Sequence, residues 1–133
     1  MKKLMLDTHV LLWAIGDSKK LPPHIASQIS DKNNDVFVSA ITLWEIALKH
    51  GLETLELNFS VEDIPLYCRQ MSFTLIPLKP LEVLDFTKLP LKANHKDPFD
   101  RMLICQCISN GYTLVSKDAK MAGYKENGLE CVW

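Results

Sequence analysis

Apolar and polar positions along this chain switch repeatedly from a strand-like run to a helical period. Lys3-Leu-Met-Leu6 is a short apolar run of the kind that fills a buried strand, and His9-Val-Leu-Leu-Trp-Ala-Ile15 follows with helical spacing up to Gly16. Leu21-Pro22-Pro23 opens a second helix through Ile25, Ala26 and Ile29, with proline where a first turn tolerates it. Val36-Phe-Val38 is rich in β-formers, Ser39 is a helix cap, and Ile41, Trp44, Ile46, Ala47 and Leu48 carry helical periodicity to Gly51. The strand-then-helix unit has repeated.

Ser60-Val-Glu-Asp63 has the form of a capping box ahead of Ile64, Leu66, Tyr67 and Met71, and Phe73 to Leu78 predicts a strand bounded by Pro77 and Pro80. A short helix is predicted over 81–88 and a surface loop over 88–96. Asp97-Pro98 starts a helix through Met102, Leu103, Ile104 and Ile108 to a stop at Asn110-Gly111. Tyr112 to Ser116 is a strand, a helical turn passes through Met121, and Leu129 to Trp133 is a final strand. Strands alternating with helices predict an α/β fold: a three-layer α/β/α sandwich around a mostly parallel sheet, as one domain over residues 1–133. In such sheets the carboxyl ends of the strands form the ligand-binding edge.

Composition narrows the picture. At 133 residues, 47% hydrophobic and 23% charged, the chain suits one ordinary globular core. No apolar run approaches the ~20 residues that span a bilayer, and Asp7 interrupts the run after Lys2-Lys3 too early for a signal-peptide core. Cytoplasmic residence without membrane attachment is the expectation. A net charge of −1 argues against coating nucleic acid through bulk positive charge, and leaves only a local basic rim. Lys2, Lys3, Lys49, His50, Lys92, His95, Lys96, Arg101, Lys117 and Lys120 are available for one, or are ordinary solvated residues. Cys68, Cys105, Cys107 and Cys131 contain no C-x-x-C pair, which points to reduced thiols rather than zinc or a disulfide framework.

The topology rule sends Asp7, Glu45, Asp100 and Asp118 to one sheet edge. Each has a simpler reading alone. Asp7 and Asp118 serve as caps, Asp100 as the third residue of a capping box behind Asp97, and Glu45 as the partner of Lys49 one turn on. Together they repel, since one close pair costs roughly 4 kcal/mol at 4 Å with an effective dielectric near 20. A divalent cation relieves that repulsion, and an all-oxygen donor set suits Mg2+ or Mn2+ rather than zinc. His9, His24, His50 and His95 are scattered and read as surface or packing residues, with His95 near enough to Asp97 and Asp100 in sequence to touch a phosphate.

Leu6-Asp-Thr-His-Val-Leu-Leu-Trp13, Ser39-Ala-Ile-Thr-Leu-Trp-Glu-Ile-Ala47, Asp97-Pro-Phe-Asp-Arg101 and Leu114-Val-Ser-Lys-Asp118 resemble, in order and spacing, the PIN-domain family. More narrowly, they resemble the VapC-type toxins of bacterial toxin and antitoxin pairs. The resemblance implies a magnesium-dependent endoribonuclease, with Mn2+ as a possible substitute, whose acidic quartet matches Asp7, Glu45, Asp100 and Asp118. Asp7 and Asp100 would hold the metal, with Thr8, Ser39 and the additional acid Asp97 in support. Arg101 and Lys117 are candidates for RNA backbone contact. It further implies a homodimer and an antitoxin partner that threads a segment into the acidic groove. Leu12, Trp13 and the stretch from Leu55 to Phe59 supply apolar surface for a dimer or partner contact, or plain core packing.

Other classes fit less well. A phosphoacceptor or metal-binding switch of the receiver type wants paired acids after the first strand and an aspartate after the third, where Pro77-Leu78-Lys79 stands. A haloacid dehalogenase-type phosphatase wants an aspartate at position 9, which is His9. A decayed interaction module has no reason to keep the full acid set.

Overall fold

The structure is a computed structural model that describes residues 1–133. Its strands are β1 (Lys3–Leu6), β2 (Asp35–Ser39), β3 (Thr74–Ile76), β4 (Thr113–Val115) and β5 (Glu130–Val132). They form one all-parallel sheet in the order β3-β2-β1-β4-β5. The helices are α1 (Thr8–Gly16), α2 (Pro23–Ser30), α3 (Ala40–Gly51), α4 (Ile64–Gln70), α5 (Pro80–Leu84) and α6 (Pro98–Asn110).

Side chains alternate across the pleat and so divide the core in two. Leu4 and Leu6 of β1 face a cluster built from α1, α2, α3 and α4, including Val10, Leu11, Ile25, Ile46 and Ile64. Met5, between them, faces the opposite cluster with Leu103, Ile104 and Cys107 of α6 and Met121 and Tyr124. The three-layer α/β/α arrangement follows. Because the chain leaves β1 toward β2 and β3 and returns on the other side at β4, the connections diverge between β1 and β4, and a crevice opens beyond their carboxyl ends.

Several elements differ from the sequence expectation. The strand expected from Tyr112 begins at Thr113, because the Tyr112 N–H closes instead on the Cys107 carbonyl at the end of α6, where Gly111 adopts φ 70°. Ser60 makes no backbone cap. Its hydroxyl donates to Glu62, a 3₁₀ turn occupies Val61–Asp63, and α4 starts only at Ile64. The turn expected around Met121 is a 3₁₀ run over Ala119–Asn127 that buries Met121 and Tyr124, three residues apart on one side. On α3 the buried side holds Ile41, Thr42, Glu45 and Ile46, while Trp44 is 61% exposed.

Candidate active site

Asp7 follows β1 directly and is only 3% exposed. Its Oδ1 accepts from the Thr8 N–H at 2.7 Å, so it does cap α1, and its Oδ2 accepts from the Ser116 hydroxyl at 2.6 Å. Ser116 directly follows β4 and also accepts from the Asp118 N–H at 3.1 Å. One hydroxyl thus couples the ends of adjacent strands. Sequence reasoning passed over Ser116, although a hydroxyl at a strand end two residues before Asp118 is the signal that would have found it.

Glu45 reaches the same crevice from α3 and is 6% exposed. The Thr8 hydroxyl donates to Oε1 at 2.6 Å and Lys49 Nζ to Oε2 at 2.5 Å. The intrahelical pair and the inward-facing acid, treated as rivals in the sequence, coexist. Lys49 itself is held above its ordinary pKa, chiefly by its hydrogen bond to Glu45.

Asp97 caps α6 by accepting from the N–H groups of Phe99 and Asp100. Asp100 does not close a capping box. Its Oδ2 instead meets His95 Nε2 at 3.2 Å, and His95 Nδ1 meets the Tyr124 hydroxyl at 2.9 Å. His95 is 2% exposed, so it is a packed partner of Asp100 rather than a surface group for phosphate. Asp118 caps the 3₁₀ run through the Lys120 N–H at 3.0 Å. Asp7, Glu45, Asp97, Asp100 and Asp118 line a single cleft of about 520 Å³, together with Thr8, His9, Leu12, Trp13, Leu55, Lys49 and Lys117.

The electrostatics match a site short of positive charge. Burial is the main cause that lifts the Asp7 carboxyl above its ordinary value, with Glu45 adding to it and the Ser116 hydrogen bond opposing it. Asp100 is pushed up to about 8, by burial first and then by the charges of Asp7, Asp97, Glu45 and Asp118. Lys49 is paired with Glu45, which leaves Lys117 as the other lysine on the cleft wall. Carboxylates crowded closely enough to raise Asp7 and Asp100 are a donor set for a hard divalent cation. His95, Asp100 and Asp118 also place one potential ligand atom each within 4.8 Å of one another.

Residues 4–127 match the PIN domain. The chain belongs to the PIN-domain family. Over its full length it is similar to the ribonuclease VapC22 of Mycobacterium tuberculosis, at 26% identity with both chains completely covered. Solved structures with a similar fold include VapBC2 from Rickettsia felis bound to a promoter DNA fragment (20% identity, 98% of this chain and 97% of that one, TM-score 0.67). DNA-bound VapBC from Salmonella typhimurium (21%, 99% and 98%, 0.67) and VapBC-1 from nontypeable Haemophilus influenzae (19%, 98% and 96%, 0.68) share it as well. Nucleases of the PIN family depend on divalent metal, and the acidic cluster of this PIN domain is able to hold such an ion.

Two supporting roles read from the sequence need correction in this PIN domain. Arg101 is 3% exposed and donates to the Pro90 carbonyl, the Leu89 carbonyl and the Tyr124 hydroxyl, with its guanidinium over the Phe86 ring. A buried arginine whose guanidinium is spent on internal acceptors is not available to an RNA backbone. Ser39 is fully buried, accepts from the Ile41 N–H and donates to Gln106, so it fastens α3 to α6 behind the cleft rather than touching a ligand within it. Thr8, Asp97 and Lys117 do line the cleft. No helix is long and apolar enough to cross a membrane.

Proposed function

We propose that this chain is a magnesium-dependent endoribonuclease acting as the toxin of a toxin–antitoxin pair. The observation that carries the reading is the gathering of Asp7, Glu45, Asp100 and Asp118 on one cleft of a PIN domain similar to a named VapC ribonuclease. Asp7 and Asp100 are the residues that would hold Mg2+, with Mn2+ as a substitute. A bound divalent ion supplies charge neutralisation at the attacked phosphate and makes water a better nucleophile.

The chain's own groups supply the rest. Thr8 and Lys49 pin both Glu45 oxygens, so that carboxylate faces the cleft in one orientation and can accept a proton from an incoming water. Asp118, held through Oδ1 at the start of the 3₁₀ run after β4, presents a second carboxylate to the same cleft. Lys117 offers a cation for a phosphodiester at the rim, beside the Trp13 ring. A cognate antitoxin is the expected protein partner, as in the VapBC complexes that share the fold. A second copy of the chain and a cytoplasmic setting complete the reading.

The test is cleavage of RNA by the purified chain with Mg2+, with excess chelator, and with Asp7→Ala in place of the native residue. Loss of cleavage in both latter cases, with the variant folded, is expected. Undiminished cleavage in chelator, or by folded Asp7→Ala protein, overturns the assignment.

A further inference from the structure

His95 has two chemically distinct ways to serve a metal site. With a proton on Nε2 it is a donor that orients Asp100, and with a free Nε2 lone pair it is itself a ligand beside Asp100 and Asp118. The surroundings decide between them. Tyr124 is completely buried, and its hydroxyl has two hydrogen-bond partners, Arg101 Nη1 at 3.1 Å and His95 Nδ1 at 2.9 Å.

Guanidinium nitrogens only donate, so the Tyr124 oxygen accepts from Arg101 and its own proton has one place to go, the Nδ1 lone pair. A buried hydroxyl proton left without an acceptor carries its full desolvation penalty, and the opposite tautomer would incur it. Nδ1 is therefore the acceptor, and the imidazole proton is placed on Nε2 facing Asp100 Oδ2. Arg101 is in turn fixed by the Leu89 and Pro90 carbonyls, so the direction of the relay is set by main-chain atoms that cannot change their role.

We propose that the Arg101–Tyr124 pair locks His95 in its Nε2–H form, which makes His95 and Tyr124 positioning residues for Asp100 and excludes the imidazole from the metal's ligand set. This deepens the magnesium-nuclease reading and rests on it for the identity of the ion. One Asp100 oxygen is occupied by the imidazole N–H, leaving Oδ1 as the oxygen free for a cation. A site kept to oxygen donors favours Mg2+ or Mn2+, whereas a freed imidazole nitrogen favours Zn2+. Tyr124 is thus a determinant of metal choice that touches neither metal nor substrate.

The experiment is two-bond 1H–15N NMR on the full chain labelled at histidine, metal-free and then with Mg2+ or Zn2+ in separate samples. His95 is expected to show a protonated Nε2 in the metal-free and Mg2+ samples. In Tyr124→Phe, which keeps the ring, the Nε2–H signature is expected to be lost or mixed, and Zn2+ affinity relative to Mg2+ by calorimetry to rise about tenfold. A protonated Nδ1 in the metal-free native chain overturns the proposal, as does a Tyr124→Phe chain with an unchanged tautomer and unchanged metal preference. The tautomer is read without RNA, so a chain that fails to cleave RNA would refute the nuclease reading while leaving this result standing. If Tyr124→Phe does not fold, the native tautomer alone decides.

Discussion

The Ser116 hydroxyl donates to the Asp7 carboxylate across 2.6 Å of space and 109 residues of sequence. That bond ties the ends of β1 and β4 at the point where the sheet's connections diverge, and it holds one of two proposed metal-binding acids in a single orientation. Ser116 itself faces the protein, almost without exposure. Ser116→Ala is expected to lower metal affinity and cleavage by about 10- to 100-fold with little loss of fold, as removal of a ligand's hydrogen-bond partner commonly does. Calorimetric Mn2+ titration beside a cleavage assay checks it, and a variant with native metal affinity contradicts the role.

The acids also govern how the metal-free chain responds to pH. Asp100 is raised from 3.8 to about 8, and Asp7 is raised too, both chiefly by burial. An acid whose pKa rises on folding favours the folded state fully below its unfolded value, and that contribution is lost as pH climbs through the folded value. In chelator, the melting temperature is therefore expected to fall between about pH 4 and about pH 8, and Asp100→Asn to flatten the fall. Apparent Mg2+ affinity is expected to rise over the same window as protons cease to compete. A melting temperature that climbs steadily with pH in chelator would show the acids are not crowded as described.

Much of this was legible in the sequence because two periodicities and a topology rule sufficed. Leu4, Met5 and Leu6 announce a strand buried on both faces, Gly111 announces the end of α6, and parallel order then places Asp7 and Asp118 on one edge. Side-chain direction was not legible. Trp44 outside and Glu45 inside invert the hydropathic expectation for α3, because Glu45 is held by Thr8 and Lys49 while Trp44 packs against Phe99 in a T-shaped pair. Arg101 looked like an RNA contact because charge suggests the surface. Its acceptors, Leu89, Pro90 and Tyr124, lie 11–23 residues away in a loop and a 3₁₀ run that no local pattern connects to it.

Arg101 and Lys117 consequently make a contrasting pair. Arg101→Ala removes a buried charge and leaves the Leu89 and Pro90 carbonyls unpaired, and is expected to cost about 2–4 kcal/mol of stability. Lys117→Ala is expected to leave urea denaturation unchanged. It should weaken binding of single-stranded RNA and reduce the slope of log affinity against log salt by about 0.7. Binding is measured with Asp7→Ala in the background so that the RNA survives. The reverse pattern, with Arg101→Ala stable and weakly binding, would return Arg101 to the nucleic-acid surface.

Self-association is expected to use a different surface from the one the sequence suggested. Leu12, Trp13, Leu55, Leu57 and Phe59 pack against the main core, and Gly16 lies so close to Phe59 that an added Cβ would sit 2.8 Å from its ring. They are largely spent on internal packing. Trp44, Val83, Leu84, Phe86, Phe99 and Met102 instead line an apolar recess of about 360 Å³, where Leu84 is 64% exposed. A tryptophan anchoring such a patch commonly contributes more than about 2 kcal/mol to an interface, so Trp44→Glu is expected to weaken a dimer at least about 30-fold. Sedimentation velocity over a concentration series measures this, with circular dichroism as the control for folding. A native chain that remains monomeric at high concentration, or a Trp44→Glu chain that dimerises as the native one does, would exclude this face as the contact.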